Sequence, residues 1–408
     1  MDRRSFIQSS AAALAGTAVP LFPMAAMAAD EIVVGSIIDM SGGLDIYGKP
    51  MADCMALAVE EQNAAGGLLG KKLKLATYDP QSNMQLYAQF AQQSALKDKS
   101  TVVMGGITSA SREVIRPVLT RNKTLYFYNT QYEGGVCDRN TFCTGVTPGQ
   151  TVAKLIPYAM KKWGKKVYVV AADYNYGQIT SQWVKKFVQD NGGSVASIDF
   201  FPLDVTNFGP TISKIEAAKP DMIVSALVGG AHISFYRQWA AAGLTRKIPL
   251  ASTTFAGGNE HIVLSPAETD GFLISYNYFQ NLDTPQNKAF KERFYKRFGA
   301  DYPNITELAM GTYQGFKLWA EGVKKAGSLD REKMIAALET GISIDGPSGK
   351  VTLDAATHHC VLNVSIAEVR NKQLNIVETF QQQPPVDTSA VCNLVKNPKD
   401  NQQYVIKA

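Results

Sequence analysis

From residue 31 onward the chain alternates short runs rich in β-branched residues with longer amphipathic segments, and it does so twice over. In the first series, residues 32–39, 72–78, 101–104 and 124–128 read as strands, and 50–63, 84–96 and 109–121 as the helices between them. A helix between consecutive strands makes a crossover, so the strands run parallel. After residue 150 the rhythm restarts, with helices at 152–163, 178–190, 210–218 and 231–242 and strands at 166–172, 194–201, 221–226 and 248–252. A strand at 272–279 follows, then a helix that Thr284 caps, with Pro285 opening it, to residue 298. Helices at 307–326 and 331–338 come next, and the tail reads as antiparallel strands at 351–353, 361–369 and 374–379. The expected fold is α/β: two Rossmann-like lobes with parallel sheets, joined by a hinge of several crossings. Residues 30–147 with 278–345 would form one lobe, and 148–277 with 346–408 the other.

With 408 residues there is chain enough for two cores. The formal charge of +5 is small and no Lys/Arg block concentrates it, which excludes nucleic acid as a partner. Arg3-Arg4-Ser5-Phe6 precedes an apolar run at 11–22 and the small residues Ala26-Met27-Ala28. Residues 1–28 therefore read as an export signal, of the twin-arginine type by its paired arginines, and the run is too short to span a membrane. No cysteine stands near the cleavage point to carry a lipid. The expected mature protein is periplasmic, in solution, with no direct membrane anchor.

Five cysteines suit an oxidising compartment. Cys137 and Cys143 bracket a short polar loop and would close a small ring, leaving Cys360 and Cys392 as a second pair. Spacing alone does not fix pairing. Cys54 falls on the apolar face made by residues 51, 54, 55, 58 and 59, so it reads as core.

Open α/β sheets bind ligands beyond the carboxyl ends of their strands. In the first lobe those ends carry Gly105-Gly106-Ile107-Thr108-Ser109, just ahead of a helix, and the cluster Tyr128-Asn129-Thr130-Gln131-Tyr132-Glu133-Gly134. In the second they carry Asp173-Tyr174-Asn175-Tyr176-Gly177, Val228-Gly229-Gly230, Ser252-Thr253-Thr254 and Tyr276-Asn277-Tyr278-Phe279. Hydroxyls, phenols, amides and backbone dominate, and charges are few. Such a site suits a small, planar, neutral ligand rich in N–H and C=O groups, with phenol rings on its faces. An amino acid would need a carboxylate opposite its ammonium group, for which Asp173 or Glu133 are the candidates.

These stretches resemble the type I periplasmic binding proteins of ABC transporters, a group that includes branched-chain amino-acid receptors. Within it the chain is most similar to the urea and short-chain amide binders and to the cytoplasmic amide-sensing regulator of the same fold. The matching stretches are 105–112, 128–134, 173–177, Pro202-Leu203, and Tyr278-Phe279 with Asp283-Thr284-Pro285. The resemblance implies ligand contacts from Ser109, Tyr128 and Thr130 on one lobe and from Tyr174 or Tyr176 on the other, with Gly229 and Thr254 beside them. Gln131, Tyr132 and Tyr278 join the candidates by their places at strand ends. It also implies a transporter permease as partner. The chain departs from the amide sensor at Asn129 and Gln131, where the sensor has prolines, and at Ile107, where it has a tyrosine. These changes reshape the pocket rim.

A hydrolase would need a nucleophile with a positioned base, or a metal site. Only four histidines are present; His232 and His261 stand alone, and the adjacent His358 and His359 would point to opposite faces of a strand. No His/Cys cluster has ligand spacing, and the glycine pairs lack phosphate-loop spacing. A binding protein without metal or cofactor is expected, not an enzyme. The alternatives are an amino-acid receptor or a periplasmic sensor serving a signalling partner.

Overall fold

A computed structural model describes residues 31–406; the expected export signal lies outside the described residues. The first series folds as β1 (Ile32–Ile37), α1 (Asp45–Ala64), β2 (Leu73–Tyr78), α2 (Met84–Leu96), β3 (Val102–Gly105), α3 (Ser109–Arg121) and β4 (Leu125–Tyr128), followed by the short strands β5 (Val136–Asp138) and β6 (Thr141–Cys143). The second comprises α4 (Val152–Trp163), β7 (Lys166–Ala172), α5 (Asn175–Asp190), β8 (Ser194–Phe201), α6 (Gly209–Ala218), β9 (Met222–Ala226), α7 (Gly230–Ala241), β10 (Leu250–Ser252), the one-turn helices α8 (Glu260–Val263) and α9 (Pro266–Thr269), and β11 (Leu273–Tyr276). The chain then adds α10 (Pro285–Phe298), α11 (Glu307–Ala326), α12 (Arg331–Leu338), β12 (Ser343–Gly346), β13 (Gly349–Asp354), β14 (His359–Arg370), β15 (Gln373–Gln383), α13 (Val386–Ser389) and β16 (Asn401–Gln403).

The strands line up in the order β2-β1-β3-β4-β6-β14-β11-β10-β9-β7-β8. Pairing is parallel within each series, as the crossover helices require. Alternate residues supply opposite faces. Phe127 enters one core with Trp319 and Phe290, while its neighbours Tyr126 and Tyr128 enter another with Ile37 and Leu119. In the second lobe Val167 and Val169 face one core and Tyr168 and Val170 the other. The two lobes share β14. Its start pairs with β6 and β13, and from Ser365 onward it pairs with β11. Its ladder with β15 shifts register between Leu362 and Val364, where the strand passes from one lobe to the other.

Three expectations change. Helix α1 starts at Asp45, upstream of Pro50, which lies inside it, and α5 starts at Asn175, upstream of 178. The lobe boundary expected at 345/346 does not coincide with a change of sheet: β13 stays with the first lobe, only β14 from Ser365 and β15 serve the second, and β16 returns to pair with β5. Neither expected disulfide forms. Cys137 bonds Cys392, 255 residues away, with Cα atoms 5.4 Å apart. Cys143 lies in the main sheet opposite Tyr128 and His359, whereas Cys137 belongs to the separate β5–β16 ribbon, so their short spacing in sequence is not proximity. Cys360, on β14, is buried and unpaired, as are Cys143 and Cys54. Among the described residues no helix is long and apolar enough to cross a membrane.

Closing a loop of that length restricts the unfolded chain by about 5 kcal/mol in the chain-entropy model. Peptide mapping without reduction should therefore recover Cys137 linked to Cys392, and Cys392→Ser should cost about 2–5 kcal/mol in urea unfolding. A Cys137–Cys143 peptide would contradict the pairing.

Candidate ligand-binding site

At the carboxyl end of β3, Thr108 caps α3, its hydroxyl accepting the Ser111 N–H at 3.0 Å. The first N–H groups of a helix have no partner within it and carry partial positive charge, so this turn offers ready donors to a ligand oxygen. Two hydroxyls from β4 and the loop after it hold the turn from behind: Tyr128 and Thr130 both donate to the Ile107 carbonyl, at 2.9 and 3.1 Å. Ser109 donates to the Glu133 carboxylate, which also accepts from Arg112 Nη2 at 2.8 Å. The side chains of Arg112 and Glu133 are fully buried. The guanidinium lies over the Tyr128 and Tyr132 rings, 5.0 and 4.5 Å from their centroids. Burial disfavours its charge, but Glu133 outweighs burial and holds Arg112 well above the ordinary arginine range.

The second lobe supplies α5. Tyr174 is extended just before it and Tyr176 stands in its first turn, donating to Thr253 Oγ1 at 2.9 Å. Burial pushes both phenols above the ordinary tyrosine range, so they stay protonated donors. Thr254 donates to the Leu227 carbonyl at 2.6 Å.

Two contacts join the lobes on either side of the cleft. Trp183 of α5 donates its indole N–H to the Glu133 carbonyl at 3.0 Å. Tyr47 of α1 accepts the Gly229 N–H at 2.9 Å and lies 3.4 Å from His232 Nε2, which is paired with Glu260 at 2.8 Å. Burial raises the Glu260 carboxyl, but His232 and backbone N–H groups outweigh it and hold the pKa below the usual carboxylate value. Gly229 adopts φ 69°, which favours glycine, and this turns its N–H toward Tyr47.

Between these contacts lies a small cavity. Ser109, Gln131, Tyr174, Tyr176 and Thr254 line it, together with Tyr47, Ile107, Thr108, Val228 and Leu308. None of these ten side chains is ionised at neutral pH. The sequence candidates thus divide. Five meet in the cavity; Tyr128 and Thr130 stand behind it and fix the Ile107 carbonyl. Tyr132 contacts His359 and Arg112, and Gly229 adjoins the lining residue Val228. Tyr278 lies away from the cleft, in the first-lobe core, donating to Asn287 at 2.9 Å. Tyr47 escaped notice although it follows β1, and the strand-end rule applied there would have found it. Leu308 enters from the first turn of α11 and carries no comparable signal.

Glu307, beside Leu308, is buried with both carboxylate oxygens lacking a protein partner, and burial pushes its pKa up to about 8. The folded state keeps this proton where the unfolded chain releases it, so stability falls as pH rises from about 4.5 to 8. Melting curves should show the wild type losing stability relative to Glu307→Gln between pH 5 and pH 8. Parallel curves would contradict the assignment.

A family profile described as periplasmic binding protein matches residues 31–373. The chain is 24% identical over 390 residues to Leu/Ile/Val-binding protein homolog 6 of Brucella melitensis, covering 91% of this chain and 97% of that one. It is 25% identical to the leucine-, isoleucine-, valine-, threonine- and alanine-binding protein of Pseudomonas aeruginosa, covering 83% and 90%. Among solved structures it resembles an ABC-transporter solute-binding protein of R. palustris in complex with 4-hydroxybenzoate, with a TM-score of 0.77, 26% identity, and coverage of 87% and 98%.

Proposed function

The chain belongs to the periplasmic binding protein family, and from that premise we propose that it is the periplasmic receptor of an ABC importer, capturing urea or a short-chain amide. One observation carries the ligand class: a cleft lined by hydroxyls, an amide and a helix N-terminus, with no ionised side chain. An amide carbonyl would accept from the first turn of α3. Its N–H groups would donate to Gln131 and to hydroxyl oxygens, while Tyr174 and Tyr176 cover its face. An α-amino acid fares worse, because its ammonium finds no carboxylate in the lining and Glu133 is already engaged by Arg112 and Ser109. The relatives are substrate-binding proteins, in keeping with a cleft that binds rather than reacts.

Capture proceeds by closure. Ligand docks on the first lobe, and α5 then brings Tyr174 and Tyr176 over it as the Trp183 and Tyr47 contacts form. The permease would engage the closed shape. A second reading, a small aromatic carboxylate, is favoured by the same α3 N-terminus, which attracts anions, and by the 4-hydroxybenzoate held by the R. palustris relative.

Titration calorimetry and thermal shift with acetamide, formamide, urea, leucine and 4-hydroxybenzoate separate these readings. A ligand at a hundred times its Kd should add about 2.7 kcal/mol of stability. The amides or urea should shift the melt; a shift with leucine alone would contradict the proposal, and one with 4-hydroxybenzoate alone would favour the second reading. Tyr174→Ala should weaken binding about tenfold or more by removing a half-buried phenol donor and its ring.

A further inference from the structure

The chain beyond α13 comes back to the outer side of the first-lobe wall of the cleft, and it is held there by several separate interactions. The Cys137–Cys392 bond anchors it, and β16 pairs antiparallel with β5. Arg116 Nη1 donates to the Asn401 carbonyl at 2.6 Å. Tyr404 N–H donates to the Gly135 carbonyl at 2.8 Å, and Gly135 N–H donates to Thr388 Oγ1 at 3.1 Å. Gly135 has φ 85°, and a Cβ there would stand 2.0 Å from the Tyr404 carbonyl oxygen, so the crossing demands glycine.

What this tail delivers is one side chain. Gln403 donates its amide N–H to Glu133 Oε1, the oxygen that Arg112 also bonds, and Glu133 Oε2 takes the Ser109 hydroxyl. The carbonyl of the same residue accepts from Trp183 of the other lobe at 3.0 Å. Glu133 therefore touches the tail, the cleft wall and the closing lobe at once. Arg112 and Ser109 belong to one helix and hold one carboxylate oxygen each. Gln403 supplies a third donor from a distant part of the chain, joining Arg112 on Oε1 and completing the set that holds the carboxylate.

We propose that Gln403 is a positioning residue of the cleft: through Glu133 it fixes Ser109 and the carbonyl that meets Trp183, so the disulfide-clamped tail sets how tightly the lobes hold their ligand. This rests on the cleft being the ligand site proposed above. Losing the donor frees the carboxylate and, with it, the first turn of α3. Losing the disulfide acts in the same direction by loosening the tail that presents Gln403.

The test uses the full mature chain with Gln403→Leu, Gln403→Lys as the variant that keeps an N–H donor, and Lys399→Ala as an exposed control in the same tail. Two readouts are taken: Kd and dissociation rate for the amide or urea that binds the wild type, and hydrogen exchange of the backbone amides of residues 109–112 without ligand. Gln403→Leu should raise Kd about tenfold, mainly through faster dissociation, and speed exchange at 109–112. Gln403→Lys should restore both, Lys399→Ala should change neither, and the unliganded melting temperature should stay near wild type. Wild-type affinity and exchange in Gln403→Leu would overturn the proposal. So would a loss of affinity that tracks melting temperature and is not rescued by Gln403→Lys, since that marks a structural prop only. If the wild type binds no tested ligand, the ligand reading fails by itself. The exchange at 109–112 then decides the coupling, and unchanged exchange overturns it.

Discussion

Both lobes are hydrogen-bonded to one strand. The twelve residues of β14 begin in the first sheet, beside β6 and β13, and finish in the second, beside β11 and β15. A strand cannot be stretched, so the lobes are tied at fixed separation while the irregular pairing near Leu362 lets them turn. Gln150 pins the same region: buried in the crossing from the first lobe to the second, it donates to the carbonyls of Cys360 and Gln383 at 2.8 Å each. Other crossings follow β11 and β15. A hinge built this way permits rotation and little else, which is what brings α3 and α5 to face each other across the cavity.

Charge is kept behind the cleft. Arg112 and Glu133 form a buried pair under the α3 turn, and His232 and Glu260 form another behind Tyr47. A buried ion pair such as Arg112 with Glu133 contributes little net stability, yet removing one partner strands the other at a cost of about 3–5 kcal/mol. The effect of the two pairs is to fix Ser109 and Tyr47 while leaving the lining neutral. The cavity then discriminates by hydrogen-bond pattern and shape, and no ionised side chain of the lining stands ready for a charged group on a ligand.

The periodic parts of this molecule were legible in the sequence because each rests on local physics. Helices α10, α11 and α12 begin where Thr284, Thr306 and Asp330 cap them, and all three match their expected bounds. The strand-end rule brought Ser109, Gln131, Tyr174, Tyr176 and Thr254 into one cavity. It misplaced Tyr278, because the chain leaves β11 for the other lobe and carries that ring into its core. The disulfide joins cysteines 255 residues apart, and the return of β16 sets Asn401 opposite Asp138 and Gln403 opposite Val136; no local pattern encodes either contact.

The central claim is that two lobes close on a small neutral ligand about the shared strand. Small-angle X-ray scattering of the mature protein, without ligand and then saturated with the amide or urea that calorimetry identifies, measures this most directly. The account predicts a smaller radius of gyration at saturation. A bound ligand with an unchanged radius of gyration would contradict it.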